Sequence, residues 1–406
     1  MLLFQDFTNT QVKLSFEPDQ FERESHHVLV IVRKGPKFLL TKHSTRGYEF
    51  PGGKRKGGES LEDAALREVY EETAIQIQNL TWLASYEVQR DEPFVKTVFL
   101  ADFKKADHFD ALHETTAREW MTLRDIERHP FLSFYMKDDG MEAILTQLKK
   151  KFPLYKKHRI PSPNSKVRIH EVTYYSDEFL VKGWLAEPVA GAQEAIVYLR
   201  GGINQIGKVR GARIAQIAAQ GFTVFAPHYR GSFGGEGKDE FVGADRQDAY
   251  GAVDYLAAFG YTRIHLFAFS RGGIMALWAA VMRPEVTSLV TWGGVSSIYL
   301  TYEERVDMRR MMKRIYGGTP KKAPEAFEDR DVLQQLERMN APVLIIHGEL
   351  DTNVGFEHAT ILEEKLKGLN KPVTTRYLEN HHHFVPDPLN RQILREALEW
   401  MLEQGR

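Results

Sequence analysis

The pattern of hydrophobic and polar positions changes character near the middle of this chain. In the first half, two β-rich runs at residues 27–34 and 37–42 flank a Gly-Pro turn, which predicts a hairpin. Apolar residues at helical spacing then predict a helix over residues 60–73. Further strands are expected at residues 80–90 and 93–103. The first half therefore predicts mixed strands with a few helices.

In the second half, short and nearly continuous apolar runs alternate with helical stretches. The runs lie at residues 195–199, 222–226, 264–269, 288–292 and 343–346, and the helical stretches at residues 210–219, 245–259 and 273–282. Continuous apolar strands are covered on both faces, so this half predicts a doubly wound, mainly parallel sheet.

The segment between the halves is basic, contains three prolines and has no sustained period. We interpret it as a linker over residues 151–167, between a domain at residues 1–150 and a domain at residues 168–406. A chain of 406 residues is long enough for two cores of ordinary size.

Composition narrows the function classes. Apolar residues make up 43% and charged residues 27%, as in globular proteins, and the net charge of -1 gives no reason to expect DNA or membrane binding. The absence of cysteine excludes a disulfide scaffold, a thiolate metal site and a Cys nucleophile. We see neither a signal peptide nor an apolar run that would span a bilayer, so we expect a cytoplasmic protein.

The predicted helix of the first half carries a cluster of carboxylates. Glu68, Glu71 and Glu72 stand at i, i+3 and i+4 and therefore share one helical face. Such a cluster repels itself unless a cation lies against it, and Mg²⁺ prefers oxygen ligands of this kind. The plainer alternative is a solvated acidic face with ordinary ion pairs.

This segment resembles the Nudix box, a spaced motif of glycine, glutamates and arginine. The matching residues are Gly53, Glu59, Arg67, Glu68, Val69, Glu71, Glu72 and Ile75. One position departs from the motif, because Ala74 stands where the family has glycine. The resemblance implies an α+β Nudix fold, with a mixed sheet between helices.

The same resemblance implies a division of roles. Glu68 and Glu72 are expected as the main ligands of Mg²⁺ or Mn²⁺, assisted by Glu71 and the Gly53 carbonyl, while Glu59 and Arg67 support the motif. The general base that activates water is expected among the helix glutamates, Glu68 and Glu71, or in a later loop at Glu114.

The residues just before the helix, at 46–54, are similar to those of YtkD-type bacterial Nudix proteins. That likeness implies a substrate among nucleoside triphosphates, including oxidised nucleotides, or the 5′ triphosphate of RNA.

In the second half, an apolar strand runs into a small-residue turn at Ser270 and then into a helix. This arrangement is typical of a nucleophile elbow, although Ala268 replaces the first glycine of G-x-S-x-G. Asp351 and His382 follow later strands, so the chain order Ser, Asp, His is that of the α/β-hydrolases. His381 and His383 are alternative bases, and a metal site at the three histidines is a third interpretation.

The backbone N–H groups of an oxyanion hole are expected at Gly202, in the turn after the first core strand, and at Arg271. Residues 168–406 resemble hydrolases of the prolyl-oligopeptidase and YtmA-like type. That likeness implies an α/β-hydrolase fold and a small ester, amide or peptide substrate. The charged helical stretch at residues 301–337 is a candidate lid over the site.

These features favour a bifunctional hydrolase, with phosphate chemistry in the first half and serine hydrolase chemistry in the second. Two alternatives remain: an active Nudix enzyme with a non-catalytic hydrolase scaffold, and a serine hydrolase with a nucleotide-sensing Nudix domain.

Overall fold

A computed structural model describes residues 1–111, 114–203 and 206–405. The chain folds as two compact units, Met1–Lys149 and Lys150–Arg406. Within the described ranges, no helix is long and apolar enough to cross a membrane.

The first unit combines one large sheet with three helices. Its strands are β1 (Leu2–Gln5), β2 (Gln11–Ser15), β3 (Ser25–Lys34), β4 (Lys37–His43), β5 (Gly47–Glu49), β6 (Gly52–Lys54), β7 (Ile75–Val88), β8 (Phe94–Ala106) and β9 (Thr115–Thr122). Its helices are α1 (Leu61–Thr73), α2 (Leu123–Arg128) and α3 (Asp139–Lys151), the last of which continues two residues past Lys149.

The sheet of the first unit is mixed, as the resemblance to the Nudix fold implied. Its order is β1-β2-β7-β8-β3-β4-β5, with β6 beside β3 and β9 beside β4. The pair β3 and β8 is parallel, and the other pairs are antiparallel. Helix α1 buries Ala64, Ala65 and Val69 against this sheet. The opposite face of the helix therefore remains available for charged groups.

Both ends of α1 are defined by local chemistry. The hydroxyl of Ser60 accepts a hydrogen bond from the Asp63 N–H, which caps the first turn. Ala74 ends the helix with φ 51° and ψ 34°, the left-handed conformation, and its N–H donates to the Tyr70 carbonyl. An alanine side chain is strained in that conformation, where glycine is not.

The second unit is built around another nine-stranded sheet. Its strands are β10 (Leu154–Ile160), β11 (Val167–Ser176), β12 (Phe179–Pro188), β13 (Glu194–Leu199), β14 (Phe222–Pro227), β15 (Ile264–Phe269), β16 (Val286–Trp292), β17 (Val343–Gly348) and β18 (Val373–Leu378). Its helices are α4 (Gly211–Ala218), α5 (Arg246–Ala258), α6 (Gly272–Met282), α7 (Ile298–Glu304), α8 (Arg309–Tyr316), α9 (Pro324–Glu328), α10 (Glu357–Gly368) and α11 (Leu389–Gln404).

The order of this sheet is β10-β11-β12-β14-β13-β15-β16-β17-β18. Strands from β14 to β18 in that order run parallel, and the first three pair antiparallel. Helices α4 and α11 contribute to the core on one face, and α5, α6 and α10 contribute to the core on the other. The predicted doubly wound, mainly parallel sheet is therefore confirmed.

The basic segment that we interpreted as a linker contains strand β10. It pairs antiparallel with β11, with His158 opposite Glu171 and Ile160 opposite Ile169. Its two ends pack on the core through Leu154 and Ile160, while the basic residues between them lie towards solvent. A strand with so many charged positions at a sheet edge has no apolar alternation, and this hid it from the sequence pattern.

The left-handed Ala74 leads to a prediction. Ala74→Gly removes the strain of a Cβ at positive φ, and we expect it to stabilise the end of α1 by about 1 kcal/mol. Amide exchange of peptides covering α1, measured on the intact chain, should slow by about fivefold.

The matched control for that prediction is Ala65→Gly in the interior of the same helix, which should speed exchange because glycine is a poor helix former there. Equal effects of the two substitutions would contradict the assignment of strain to Ala74.

Candidate active sites

The carboxylates of α1 line a cavity of about 490 Å³ in the first unit. The cavity lies where α1 faces β6 and the ends of β4 and β5. Its lining residues are Thr41, His43, Arg46, Glu49, Gly52, Gly53, Glu68, Glu71, Glu72, Glu114 and Thr115. The structure therefore brings the predicted residues Gly53, Glu68, Glu71 and Glu72 together, and it places Glu114 beside them.

Arg67 organises the acidic side of this cavity. Its guanidinium donates to Glu59 at 2.7 and 2.9 Å, to Glu68 Oε1 at 2.8 Å and to Glu71 Oε2 at 3.0 Å. It also donates to the Lys54 carbonyl at 3.0 Å, which ties α1 to β6. Hydrogen bonds from Arg67 and from the Lys56 N–H lower the pKa of Glu59 to about 2. The predicted supporting pair thus holds the motif in shape.

Glu72 has no share in the hydrogen bonds of that guanidinium. Burial, together with the negative charges of Glu68 and Glu49, raises the pKa of Glu72 to about 8, although hydrogen bonds from Gly52 and Thr41 oppose the shift. A carboxyl group in this situation is disfavoured as an anion unless positive charge lies next to it. The cavity therefore suits a cation beside Glu72.

At Gly53 the backbone of β6 approaches the side chain of Glu68 on α1 closely. A Cβ at Gly53 would overlap the carboxylate of Glu68. In the described residues, no three His, Asp or Glu side chains already converge as metal ligands. The oxygen donors Glu68, Glu72 and the Gly53 carbonyl are nevertheless those that Mg²⁺ prefers, so their chemistry fits the predicted ion.

Glu49 is a member of this site that the sequence did not reveal. It lines the cavity, contributes to the raised pKa of Glu72 and accepts a hydrogen bond from Arg46 at 2.6 Å. It lies on β5, outside the acidic helix, and its closeness to Glu72 depends on the fold. Only the short spacing from Glu49 to the glycines of β6 offered a signal.

In the second unit, Ser270 occupies a sharp turn between β15 and α6. It has φ 57°, which is strained for a non-glycine residue and typical of a nucleophile elbow. A Cβ at Gly272 would overlap the Leu199 carbonyl, and one at Gly201 would overlap the Ser270 side chain. This crowding explains the small residues around Ser270, including the buried Ala268.

The structure pairs Asp351 with His383 and not with His382. The Nδ1 of His383 donates to Asp351 Oδ2 at 2.7 Å, and its ring packs 4.7 Å from that of Phe269, the residue before Ser270. Burial opposes ionisation of Asp351, but hydrogen bonds from His383 and from the Val354 and Asn353 N–H groups outweigh it, so its pKa lies below the usual value.

The expected pairing of His382 with Asp351 is therefore corrected: His383, one of the two alternative bases, makes this hydrogen bond. The Nδ1 of His382 lies 2.6 Å from the Leu350 carbonyl, and that of His381 lies 2.6 Å from the Glu379 carbonyl. His382 is exposed, whereas His383 is buried. The three adjacent histidine side chains point in different directions from their loop. Because the residues are identical, the sequence alone does not show which of them turns towards Asp351.

The predicted oxyanion residues lie near the elbow. Gly201 packs against Ser270, and the neighbouring Gly202 has φ 71°, where a Cβ would overlap the Ile206 carbonyl. Arg271 precedes the first turn of α6, directly after Ser270. The predicted Gly202 therefore shares its turn with Gly201, which contacts Ser270, while Arg271 is a neighbour of Ser270 in sequence.

Buried charges that the sequence did not identify hold the turn in place. The Arg271 side chain donates to Asp239 at 2.7 Å, and its guanidinium lies 3.8 Å from Asp245. Arg200 donates to the carbonyls of Gly201 and Ile206, each at 3.0 Å. The partners of Arg271 lie in a distant loop, whereas Arg200 binds backbone carbonyls of its own turn.

The predicted lid, between β16 and β17, contacts the loop that carries Asp351. Glu304 at the end of α7 accepts a hydrogen bond from the Gly355 N–H at 3.0 Å, and Arg305 donates to the Asn353 carbonyl at 3.0 Å. The first turn of this insertion therefore helps to position the acid loop.

Comparison with known proteins identifies relatives of each unit. The NUDIX domain model matches residues 23–138, and the prolyl oligopeptidase family model matches residues 208–405. The uncharacterized peptidase YtmA of Bacillus subtilis is 50% identical over 253 residues, which cover 61% of this chain and 98% of YtmA. The putative 8-oxo-dGTP diphosphatase YtkD of the same organism is 40% identical over 154 residues, which cover 37% of this chain and 96% of YtkD.

Among solved structures, the acetyl xylan esterase of Paenibacillus sp. R4 resembles the second unit. The TM-score is 0.51 at 16% identity, and the match covers 63% of this chain and 91% of the esterase. At this identity the likeness establishes the α/β-hydrolase fold alone.

The different surroundings of the histidines lead to a prediction. His383→Gln should slow covalent labelling of Ser270 by a fluorophosphonate by roughly 10²–10⁴-fold, because the hydroxyl loses its base. His382→Gln should leave the labelling rate unchanged, since that side chain is exposed and its Nδ1 lies against the Leu350 carbonyl. Labelling is followed by mass spectrometry of the intact chain, with Ser270→Ala as the blank. Loss of labelling in His382→Gln with retention in His383→Gln would reverse the assignment.

Proposed function

The chain belongs to the Nudix family through its first unit and to the prolyl oligopeptidase family through its second, and on this premise we propose a bifunctional enzyme with two independent catalytic sites. The first unit is a metal-dependent pyrophosphohydrolase of nucleoside triphosphates. The second is a serine hydrolase that cleaves small esters, amides or peptides.

The observation that carries the first proposal is that the carboxylates of the acidic motif differ in their hydrogen bonds to Arg67 and in their pKa. Arg67 donates hydrogen bonds to Glu59, Glu68 and Glu71, while Glu72 receives none from it and has a pKa raised by burial and by the charges of Glu68 and Glu49. A cavity with oxygen donors and one uncompensated carboxyl group suits a divalent ion with a diphosphate. The name of YtkD supports oxidised guanine nucleotides as one substrate, with unmodified nucleotides and RNA 5′ triphosphates as further candidates.

In this mechanism Glu68, Glu72 and the Gly53 carbonyl hold Mg²⁺ or Mn²⁺. When bound, the ion offsets the charge of the diphosphate and makes a bound water more acidic. Arg67 keeps Glu68 and Glu71 at the cavity wall, where their mutual repulsion would otherwise separate them. Glu71 and Glu114 both line the cavity and are the two bases that a substitution series should compare.

In the second unit, Ser270 is the proposed nucleophile and His383 the base that takes its proton. Asp351 orients the imidazole through the 2.7 Å hydrogen bond and stabilises the positive charge that develops on it. Backbone N–H groups of the Gly201–Gly202 turn and of Arg271 are the proposed donors to the oxyanion. The observation that supports this second proposal is the hydrogen bond between Asp351 and His383, together with the strained turn at Ser270.

The first proposal predicts a specific loss of activity. Glu72→Gln should lower Mg²⁺-dependent release of phosphate or pyrophosphate from nucleoside triphosphates by more than roughly 100-fold. Substitution of a residue that only supports a metal ligand already lowers metal affinity or activity by up to about 100-fold, and Glu72 is a proposed ligand itself. EDTA should abolish the wild-type activity, and Mn²⁺ should replace Mg²⁺.

Glu62→Gln is the matched control, because Glu62 lies in the exposed first turn of the same helix. It should retain wild-type rates. If the wild type releases nothing from any nucleoside triphosphate or from triphosphorylated RNA, the proposed activity of the first unit is wrong.

A further inference from the structure

Exposed apolar side chains gather at one end of the sheet in the second unit. Eight large apolar side chains are exposed in the described part of this unit, and four of them lie in segments that carry or support the proposed catalytic groups: Ile206, Val306, Leu350 and Phe384. These segments follow the carboxyl ends of β13, β16, β17 and β18, which meet at one edge because the strands are parallel.

The other four exposed side chains lie on α11 or just before the amino end of a strand: Val189, Phe259, Met282 and Leu402. Single exposed apolar residues are ordinary on a protein surface. A set of them around one site instead indicates a surface that binds apolar groups. The end of the sheet that carries Ser270 therefore has an apolar rim.

Phe384 is the member of this rim that contacts the proposed base. Its neighbours His383 and Val385 are buried, whereas the Phe384 side chain between them is 71% exposed. The Phe384 ring nevertheless packs on two rings of the site, with centroid distances of 5.0 Å to His383 and 5.6 Å to Phe269. Phe269 directly precedes Ser270, and its ring lies 4.7 Å from that of His383. Phe384 is therefore held beside the base while most of its surface faces solvent.

The direction of proton transfer determines which part of a substrate lies near Phe384. The Nδ1 of His383 donates to Asp351, so the Nε2 is the atom that takes the proton of Ser270. The Ser270 Oγ bonds to the acyl carbon, the bond from that carbon to the leaving oxygen or nitrogen breaks, and the His383 Nε2 passes its proton to the leaving atom. The leaving group must therefore lie next to the His383 ring, on which Phe384 packs.

We propose that Phe384 binds the leaving group, and that the second unit prefers esters and amides whose leaving group is an aromatic or bulky apolar alcohol or amine. This inference rests on the serine hydrolase proposed above and narrows its substrate class. An aromatic leaving group covers the exposed part of the Phe384 ring and removes apolar surface from water, and the contact between rings adds to that gain. A small leaving group without a ring gains little from either effect.

Two acetates with leaving groups of similar acidity test this preference. The leaving group of 2-naphthyl acetate is aromatic, whereas that of hexafluoroisopropyl acetate is compact and has no ring. Both deliver the same acetyl group to Ser270, so their kcat/KM values differ through the alcohol alone. The wild type should hydrolyse the naphthyl ester with a kcat/KM at least about 10-fold higher. Phe384→Ala should lower that kcat/KM by about 10-fold and change the value for the other ester by less than about twofold.

Three comparisons control for indirect effects. Phe384→Tyr keeps the ring and should retain the preference of the wild type. Phe259→Ala also removes an exposed phenylalanine, but Phe259 lies before the amino end of β15, at the opposite end of that strand from Ser270, so both rates should stay unchanged. Fluorophosphonate labelling of Ser270 should keep its wild-type rate in Phe384→Ala, because fluoride is a small leaving group.

Three results would overturn the role of Phe384. The first is an equal loss for both esters in Phe384→Ala, which would show that the ring only positions His383. The second is a wild type that hydrolyses both esters equally well. The third is a lower molar mass of Phe384→Ala than of the wild type by light scattering, which would assign the ring to a contact between copies of the chain.

These measurements also separate the inference from the proposed function. Hydrolysis of both esters without preference, together with labelling of Ser270, would leave the serine hydrolase standing and remove the subsite at Phe384. A wild type that neither hydrolyses an ester nor reacts with the fluorophosphonate would remove both.

Discussion

The hydrogen bonds of Arg67 are the interaction on which the first site depends. Glutamates at i, i+3 and i+4 of one helix repel one another, and this arrangement persists only with positive charge beside it. Arg67 supplies that charge to Glu59, Glu68 and Glu71 and also binds the Lys54 carbonyl, so it joins the helix to β6. It donates no hydrogen bond to Glu72, and this asymmetry supports the proposed binding of a cation beside Glu72.

In the second unit, buried arginine side chains stabilise the strained turn at Ser270. The turn at Ser270 is strained, and its neighbours must approach closely without a side chain at Gly201 or Gly272. Arg271 is held by Asp239, and Arg200 binds two carbonyls of the adjacent loop, so both guanidinium groups restrain backbone. Strain of this kind persists only where the surrounding contacts outweigh it. A preorganised turn is what an oxyanion hole requires.

The parts of the fold and sites that depend on local spacing were predictable. The Nudix helix, the elbow at Ser270 and the parallel sheet follow from periodicity and short motifs, and each is present in the structure. The contacts between segments that are distant in sequence could not be predicted. Glu49 reaches Glu72 only through the placement of β5, and Tyr135 lies near Lys96 only through the packing of distant segments. His382 was predicted as the partner of Asp351, with His383 as an alternative, because three adjacent histidines do not show which side chain the loop turns towards Asp351.

The two proposed catalytic sites should be separable by single substitutions. The most direct measurement compares Glu72→Gln and Ser270→Ala, each assayed for metal-dependent phosphate release and for serine hydrolase turnover of an activated ester. We expect a crossed pattern, in which each substitution abolishes one activity and leaves the other at the wild-type rate. Loss of both activities in either variant, or a wild type that shows only one of them, would contradict the proposed independence of the two sites.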